Sequence, residues 1–361
     1  MPEFYLLFLF LTFLLFTGVK LFSVYINRPK LPTIDLSQVT IVIPFRNEEE
    51  NLPHFLESMR KQDCLPKDII FVDDHSNDDS CQIIQSFVDG QLNAKLLNLP
   101  TNQMGKKYAL NYGILAAQTR FILTLDADVI LSKVYMKSFA KLTSFGLSSL
   151  PVIMSGKGFL GKLFSTEYSF FNAFNYLISP IWPISASGAN LLFDSETLDY
   201  QQQLKTHQHL ASGDDYFLLK EFRNRNVPIN IHNSYQHSVI TKSPKSLRTY
   251  IDQRVRWLSK SKTQVEWTDA FIGMFLMLYF IGGFIALFAA VINLDWHLLL
   301  SVFILRLFVD SLVYLNYAQG LRITKSVLFL PFFQLLYPLI FLIVIVLSFF
   351  YQPKWKERKT S

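Results

Sequence analysis

The stretch RFILTLDADVIL, residues 120–131, joins a run of apolar residues directly to two aspartates that are one residue apart. A strand buried on both faces is apolar throughout, and ligands of open α/β sheets bind beyond the carboxyl ends of such strands. The stretch therefore predicts that Asp126 and Asp128 lie at a ligand-binding edge. An isolated Asp-x-Asp is also typical of an ordinary turn. The surrounding sequence has to distinguish the two interpretations.

Three further apolar, β-branched runs precede this one at intervals of about 26 residues. They are VTIVIP (39–44), DIIFVD (68–73) and AKLLNLP (94–100). Between the runs, apolar residues recur with helical spacing. This alternation predicts a parallel sheet with helices on both faces.

Polar loops follow all four runs, and in a parallel sheet they would meet at one edge. The loops are PFRNEEEN from residue 44, VDDHSNDDS from 72, TNQMGKK from 101 and DADV from 126. Such convergence predicts a site for a large polar ligand. Lys106 and Lys107 could neutralise phosphate, and the acidic pairs could hold a metal or hydroxyl groups. The sequence has neither Gly-x-Gly-x-x-Gly nor a Walker-type loop, which disfavours a common dinucleotide or P-loop site.

Four apolar segments are long enough to cross a bilayer, which needs about 20 residues. They run over Phe4–Ile26, 268–293, 296–317 and 325–350. Positive charge lies near the end of the first segment, at Lys20, and after it, at Arg28 and Lys30, so we expect the next block in the cytoplasm of a cell membrane protein. The predicted organisation is an anchor (1–31), a cytoplasmic catalytic domain (32–242), a basic interfacial segment (243–266) and a C-terminal membrane region with a basic tail (267–361).

The net charge of +6 is concentrated beside the predicted membrane region, with seven Lys or Arg against one Asp between Lys242 and Lys262. Because this cluster directly precedes a span, it predicts contact with anionic lipid headgroups and disfavours nucleic acid as a partner. The two cysteines, Cys64 and Cys81, provide no disulfide framework. That composition suits a cytoplasmic domain.

Seven segments in sequence order resemble motifs of the family 2 glycosyltransferases, membrane-anchored enzymes whose nucleotide-sugar-binding domain has the A-type fold. TIVIPFRNEEENL resembles the opening strand and loop, FVDDHSNDDS the Asp-Asp-Gly-Ser loop, and GKKYALNYGI the Gly-Lys-x-x-Ala-Leu-Asn segment. LDADV is similar to the Asp-x-Asp motif, SGAN to a loop near the acceptor, GDDYFL to the Glu-Asp motif and QRVRW to Gln-x-x-Arg-Trp. Two departures are His75 in place of Gly and Asp214 in place of Glu.

The resemblance implies a mostly parallel, Rossmann-like α/β sheet of the A-type with transmembrane helices at both ends, and a role for each matching residue. Pro44, Asn47, Glu48, Asp73, Asp74, Lys106 and Asp126 would bind the nucleotide sugar. Asp128 would hold Mg²⁺ or Mn²⁺, and Asp215 would be the general base. Gly188, Asn190, Asp214, Gln253, Arg256 and Trp257 would contact the acceptor or the diphosphate. Ser212 is also a favourable N-cap, so capping offers a second explanation for the two aspartates that follow it.

The function implied is inverting transfer of a sugar from a nucleotide diphosphate sugar, with UDP-sugars the usual donors of the family, to a hydroxyl of a membrane-associated lipid. A processive polysaccharide synthase is the main alternative. A phosphatase of the haloacid dehalogenase type also places Asp-x-Asp after a strand, but it explains none of the other loops. A transporter or receptor is disfavoured because the polar residues lie mainly between the apolar segments.

Three features leave alternatives open. Pro331 and Pro338 would allow a broken or re-entrant last segment, which would return the tail to the cytoplasm. Arg306 and Asp310, four residues apart, could pair on one face of a membrane helix, either for function or for stability. The aromatic stretch at 163–184 could form a wall along which a lipid enters, or it could be ordinary core packing.

Overall fold

The computed structural model of the chain describes residues 2–25, 33–91, 93–142, 146–197, 213–260, 266–351, 354–355 and 358–359. Arg28, Lys30 and Ser212 therefore lie outside the described residues. The chain divides into two compact units. The helical unit contains Met1–Arg28, Ser155–Ile184 and Ser243–Pro353, and the sheet unit contains Pro29–Met154, Ser185–Lys242 and Lys354–Ser361.

The secondary structure follows the alternation expected for the first half of the chain. The strands are β1 (Val39–Phe45), β2 (Asp68–Asp73), β3 (Ala94–Asn98), β4 (Phe121–Leu125), β5 (Ile130–Leu131), β6 (Leu147–Ser149), β7 (Val152–Ser155), β8 (Asn190–Asp194), β9 (Ile229–Ile231), β10 (Val239–Lys242), β11 (Lys354–Trp355) and β12 (Arg358–Lys359). The helices are α1 (Pro2–Tyr25), α2 (Leu52–Arg60), α3 (Ser80–Val88), α4 (Lys106–Ala116), α5 (Tyr135–Ser138), α6 (Gly158–Ile178), α7 (Asp214–Asn224), α8 (Leu247–Lys260), α9 (Trp267–Ile292), α10 (Trp296–Leu321) and α11 (Leu330–Phe350). Short 3₁₀ helices cover Leu36–Gln38, Phe139–Lys141, Ser195–Thr197, Tyr235–His237 and Thr324–Phe329.

The main sheet of the sheet unit has seven strands in the order β3-β2-β1-β4-β8-β6-β9. The first four are parallel, as predicted, and β8 pairs antiparallel with both β4 and β6. A second sheet contains β5, β10 and β7 in that order. The predicted fold class, a mostly parallel sheet flanked by helices, is confirmed by this topology.

The central strands are buried because their sequences are apolar on both faces. Every residue of β1 is buried. Helix α4 packs closely on the sheet at Gly113, where an added Cβ would lie 2.5 Å from a side-chain carbon of Val42. The core on this face contains Val42, Leu110, Ile122, Leu191 and Leu218. This packing fixes the start of α4 beside the carboxyl ends of the strands.

The helical unit contains four helices long and apolar enough to cross a membrane, over Phe4–Phe22, Trp267–Ile292, Trp296–Leu321 and Thr324–Phe350. These agree with the four predicted segments. For the last segment the sequence left a simple crossing and a broken or re-entrant segment open, and within the described residues the structure shows no break, because α11 is continuous from Leu330 to Phe350. Pro331 occupies the first turn, where its missing N–H costs no helical hydrogen bond, and Pro338 is accommodated inside the helix.

Arg306 and Asp310 are fully buried in α10 but do not form the direct ion pair that their spacing suggested. The Asp310 carboxylate accepts hydrogen bonds from the Tyr279 hydroxyl at 2.7 Å and the Gln334 amide at 2.6 Å. The Arg306 guanidinium lies over the rings of Tyr279 and Phe280, each at 5.3 Å. This polar cluster joins α9, α10 and α11.

The aromatic stretch at 163–184 belongs largely to α6, and the structure favours core packing for it. Phe164, Phe170 and Phe174 are buried. The Phe170 ring contacts those of Phe280 and Phe333 at centroid distances of 6.1 and 4.9 Å. Helix α6 therefore supplies part of the core of the helical unit.

Candidate active site

The predicted loops of the sheet unit do meet at one edge, because β1, β2 and β4 end side by side. Phe45 pairs with Asp73 across the parallel β1–β2 ladder, and Val42 pairs with Thr124 across β1 and β4. Pro44 is buried near the end of β1. The side chains that follow these strands therefore lie close together at the edge that the sequence predicted.

The first two loops are hydrogen-bonded to each other. The Asn47 carboxamide oxygen accepts from the Asn77 backbone N–H at 2.9 Å, and the Asn47 N–H donates to Ser76 Oγ at 3.1 Å. The Glu48 N–H donates to Ser80 Oγ at 2.7 Å, and the Glu48 carboxylate accepts from Asn51 Nδ2 at 2.8 Å. These contacts fix Asn47 and Glu48 beside the second loop.

Asp73 and Asp74 are both buried, and their carboxylates organise the loop backbone. Both Asp73 oxygens accept from the Ser76 N–H, at 3.0 and 3.2 Å. Asp74 Oδ1 accepts from the Gly105 N–H at 3.0 Å, which ties the second loop to the start of α4. The pair therefore orders the second loop and fixes it to the start of α4.

His75 stands where the resembling family has Gly, and it keeps a glycine-like backbone. Its φ of 57° lies in the left-handed region that favours glycine. The imidazole Nε2 lies 2.9 Å from the Gln103 backbone oxygen, and Arg46 hydrogen-bonds the His75 carbonyl. The ring thus connects the second and third loops.

A lysine paired with a carboxylate forms the centre of the edge. Lys106 Nζ, on the first residue of α4, lies 2.5 Å from Asp126 Oδ1. Burial alone would lower the pKa of Lys106, but Asp126, and with it Asp215 and Asp214, raises it above its usual value. Lys106 is therefore a positive charge placed among three acidic groups.

Asp128 lies beside this pair and ionises at a higher pH than an ordinary aspartate. Burial raises the pKa of its carboxyl to about 6, and the nearby carboxylates of Asp126 and Glu48 contribute to the rise. Thr241 Oγ1 lies 3.5 Å from Asp128 Oδ2. Carboxylates crowded in this way favour a bound cation, because a cation removes their mutual repulsion.

Lys107 does not point toward the open edge as the predicted basic pair implied. Its side chain is only 2% exposed, and its Nζ lies 3.6 Å from Asp214 Oδ1 and 5.5 Å from the centroid of the Phe217 ring. The two lysines that begin α4 thus serve different acidic groups. Lys106 pairs with Asp126, and Lys107 supports the first residue of α7.

Asp215 is half-buried in the first turn of α7. Its Oδ2 accepts from the Gly188 N–H at 3.3 Å, and the Gly188 carbonyl accepts from Thr124 Oγ1 at 2.8 Å. Gly213, with a φ of 103°, precedes the helix. Gly188 therefore connects the Asp215 carboxylate to β4, the strand that directly precedes Asp126 and Asp128.

Asn190, one of the predicted acceptor residues, is fully buried at the start of β8. Its Nδ2 donates to the carbonyls of Pro151 at 2.9 Å and His237 at 3.0 Å, and its Oδ1 accepts from the Tyr135 hydroxyl at 2.5 Å. All of its side-chain hydrogen-bonding groups are used within the core. Asn190 holds neighbouring segments together and does not face the open edge.

The remaining predicted residues, Gln253, Arg256 and Trp257, lie on α8 of the helical unit and are half-buried. Helix α8 begins with a reciprocal cap, in which the Thr249 N–H donates to Ser246 Oγ at 3.2 Å and the Ser246 N–H to Thr249 Oγ1 at 3.1 Å. The Trp257 ring lies 6.1 Å from that of Tyr168 on α6. Sequence analysis missed the buried contact of Arg254 with Glu167, also on α6. The only signal available was that Glu167 is the single acidic residue of α6.

Comparison with known proteins agrees with this arrangement. Residues 40–145 match the family profile Glycosyl transferase family 2. The chain carries a family 2 glycosyltransferase domain. The matched range includes the loops that carry Glu48, Asp73, Lys106 and Asp128. This match favours a transferase over the phosphatase and transporter alternatives.

Two curated relatives resemble part of the chain. The chain is 30% identical over 148 residues to a 4,4'-diaponeurosporenoate glycosyltransferase of Staphylococcus haemolyticus, covering 37% of this chain and 39% of the relative. It is 30% identical over 151 residues to a poly-beta-1,6-N-acetyl-D-glucosamine synthase of Staphylococcus epidermidis, covering 40% and 36%. The aligned part of the chain thus spans less than half the length of these curated relatives.

A solved structure resembles nearly the whole chain. The mannosyltransferase PcManGT from Pyrobaculum calidifontis, in complex with GDP-Man and Mn²⁺, superposes with a TM-score of 0.55 at 16% sequence identity. The superposition covers 97% of this chain and 99% of that chain. At this identity the likeness concerns the fold. It confirms the predicted A-type sheet with apolar helices at both ends.

Proposed function

We propose that this protein is an inverting glycosyltransferase that moves a sugar from a nucleotide diphosphate sugar, a UDP-sugar, to a hydroxyl of a membrane-associated lipid. One observation carries the proposal. Lys106, Asp126, Asp128 and Asp215 belong to a single edge of the sheet unit, where Lys106 interacts with Asp126 and Asp215. The four long apolar helices support a membrane-associated acceptor.

The donor would occupy the loops after β1, β2 and β4. Asp73 and Asp74 shape the loop that we assign to the base and ribose, with Pro44, Asn47 and Glu48 beside it. Lys106 would leave Asp126 in part to attract the diphosphate, since an ammonium is a compact charge on a flexible stem. Asp126 would then help to hold the nucleotide.

Asp128, with Asp126, has the chemistry that a hard divalent cation such as Mg²⁺ or Mn²⁺ requires. The raised pKa of Asp128 reflects burial and crowded carboxylates, which a cation would relieve. Among the described residues, no three His, Cys, Asp or Glu side chains form a protein-only metal cage. This donor set fits Mg²⁺, which often uses one or two carboxylates together with substrate phosphates. When bound, the cation would supply Lewis-acid stabilisation of the leaving diphosphate.

Asp215 is the proposed general base. Its carboxylate would take the proton from the acceptor hydroxyl as that oxygen attacks the anomeric carbon and the bond from this carbon to the diphosphate breaks. The Gly188 N–H donates to Oδ2 at 3.3 Å and the Tyr216 N–H to Oδ1 at 2.9 Å, and these two contacts fix the orientation of the carboxylate. Attack from the face opposite the leaving group would invert the anomeric configuration.

The acceptor would be bound by Gly188 and Asp214 and by Gln253, Arg256 and Trp257 of α8. We assign Trp257 to the acceptor and Arg256 to the diphosphate. Asn190 follows Gly188 by two residues and supports this region from inside the core. Its side chain is buried and fully hydrogen-bonded. The catalytic domain would lie on the cytoplasmic side of the cell membrane, where nucleotide sugars are available.

A processive polysaccharide synthase is the second candidate. The likeness to a poly-beta-1,6-N-acetyl-D-glucosamine synthase, 30% over 151 residues, favours it. Such an enzyme would extend a polymer and pass it through the membrane. The two candidates differ in the product that they release.

The test is product analysis with the purified full-length protein in nanodiscs. A panel of nucleotide sugars is supplied with Mn²⁺ and membrane lipids, and released nucleoside diphosphate and products are identified by mass spectrometry. An organic-extractable product with one or two sugars would support lipid glycosylation. Long water-soluble chains would support the synthase. If none of the nucleotide sugars led to release of a nucleoside diphosphate, both candidates would be refuted.

A further inference from the structure

A buried ion pair joins α6 to α8 inside the helical unit. Arg254 Nε donates to both carboxylate oxygens of Glu167, at 2.9 and 3.1 Å, and Arg254 Nη2 also contacts Oε2. The two side chains are 9% and 5% exposed. Neither residue is among those that the family resemblance placed in the site.

The same guanidinium contacts two members of the QRVRW segment. Its Nη1 donates to Gln253 Oε1 at 2.9 Å, and its Cζ lies 4.4 Å from the centroid of the Trp257 ring. On the same side of the helix its Cζ lies 4.5 Å from the ring of Tyr250. Tyr250 in turn stacks on Phe164 of α6, with ring centroids 4.0 Å apart and planes tilted by 9°.

Each part of the guanidinium contacts a different group. One edge is fixed by Glu167, the other edge holds the Gln253 amide, and the faces contact aromatic rings. An arginine fork is planar and rigid, so an anchored edge determines where the opposite edge and the faces lie. Glu167 thereby sets the orientation of Gln253 and Trp257 through Arg254.

Stability alone explains the pair poorly. Removing two charges from water is costly, and well-packed apolar residues of similar volume are often as stabilising as a buried ion pair. An apolar pair in α6 and α8 would fill the same space without this cost, but it would not hold the Gln253 amide. The geometry is therefore better explained by the placement of the segment 253–257.

We propose that Glu167 and Arg254 are positioning residues, which hold Gln253 and Trp257 in the orientation that sugar transfer requires. This inference rests on the proposed function, in which those two residues contact the acceptor. Neither Glu167 nor Arg254 needs to touch the substrate. Their effect should appear in turnover and not in the binding of the nucleotide.

The test compares Glu167→Gln, Glu167→Asp and Arg254→Lys in the full-length protein in nanodiscs. Glu57→Gln is the matched control, because Glu57 pairs with Lys61 on the surface with both side chains more than half exposed. Four quantities are measured: thermal unfolding, binding of UDP with Mn²⁺, kcat for transfer, and the emission of Trp257. That emission is obtained by subtracting the spectrum of the same protein carrying Trp257→Phe.

The expected result is a fall in kcat of about 100-fold for Glu167→Gln, since a small misplacement of a positioning group can cost this much. UDP binding should stay unchanged, and the Trp257 emission should shift in the folded protein. Glu167→Asp, which keeps the charge but shortens the side chain, should give an intermediate kcat. Arg254→Lys should resemble Glu167→Gln because an ammonium cannot hold both partners. The control should match the wild type.

Unchanged kcat and Trp257 emission in folded Glu167→Gln would overturn the proposal, as would a loss of kcat that merely follows the folded fraction. If Glu167→Gln does not fold, the kcat and the Trp257 emission of folded Glu167→Asp and Arg254→Lys test the proposal instead. Absence of transfer by the wild-type protein would refute the proposed function. Wild-type transfer that these variants leave unchanged would refute only the positioning role.

Discussion

Protons should compete with the metal at Asp128, and Glu48 should determine how strongly. The pKa of Asp128 is raised to about 6 by burial and by the carboxylates of Asp126 and Glu48, whereas Lys106 lowers it. A metal ligand must be deprotonated to bind, so metal affinity falls as the pH drops through this pKa. The change we propose is Glu48→Gln, which removes one repelling carboxylate and leaves Asp126 and Asp128 in place.

The magnitude follows from the ionised fraction. With a pKa of about 6, Asp128 is about 97% ionised at pH 7.5 and about 9% ionised at pH 5.0, so the apparent dissociation constant for metal should rise about tenfold. In Glu48→Gln the pKa of Asp128 should be lower, so the apparent dissociation constant should rise less over the same pH range. Lys106→Met should act in the opposite direction, because it removes the charge that favours ionised Asp128.

The assay is a titration with Mn²⁺ in the absence of nucleotide, with free ion measured by electron paramagnetic resonance. Full-length protein is held in nanodiscs of uncharged lipid, so that headgroups do not bind the metal. Each protein is titrated at several values between pH 5.0 and 7.5. The reasoning would be refuted by wild-type affinity that is constant across this range, or by equal pH dependence in the wild type and Glu48→Gln.

Three further results are expected. Asp215→Asn should abolish transfer but still bind the nucleotide sugar, because the proposed base acts on the acceptor. The exposed control Asp89→Asn should retain transfer, and loss of donor binding by folded Asp215→Asn would contradict the assignment. Asn190→Ala should lower the free energy of unfolding by about 3 kcal/mol or more, since the Tyr135 hydroxyl and the Pro151 and His237 carbonyls stay buried without this partner. The control Asn98→Ala, at the exposed end of β3, should leave the free energy of unfolding nearly unchanged in the same thermal unfolding measurement. A membrane-impermeant maleimide should label Cys64 only after cells are permeabilised, whereas Asn293→Cys between α9 and α10 should be labelled in intact cells; labelling of Cys64 in intact cells would refute the cytoplasmic placement.

The parallel half of the sheet was predictable because its strands are long apolar runs at regular spacing. The structure places β1, β2 and β4 within one or two residues of the expected bounds. The strands β6, β8 and β9 were not predicted, since they lie outside the regular repeat of the first four runs and acquire their places by pairing. β8 begins at Asn190, inside a segment that the family resemblance treated as a loop. Pairing partners distant in sequence leave no local pattern to detect.

The acidic residues of the site were predictable as types, but their partners were not. Lys106 and Asp126 are 20 residues apart, and only the packing of α4 on the sheet brings them to 2.5 Å. The burial of Asn190 and the pairing of Glu167 with Arg254 likewise depend on contacts between distant segments. Sequence motifs identify which residues take part, whereas the three-dimensional packing decides whether a side chain faces the site or supports it.

The first two residues of α4 contact acidic groups on both sides of the proposed site, the donor side and the side of the general base. Lys106 pairs with Asp126 on the donor side, while Lys107 is buried against Asp214, the residue before the proposed base. Both lysines also lie at a helix start, where the helix dipole disfavours positive charge, so acidic partners are needed to hold them there. Binding of a diphosphate near Lys106 would weaken its contact with Asp126 and leave the Lys107 contact intact. The donor site could therefore adjust to its ligand while the base keeps its position.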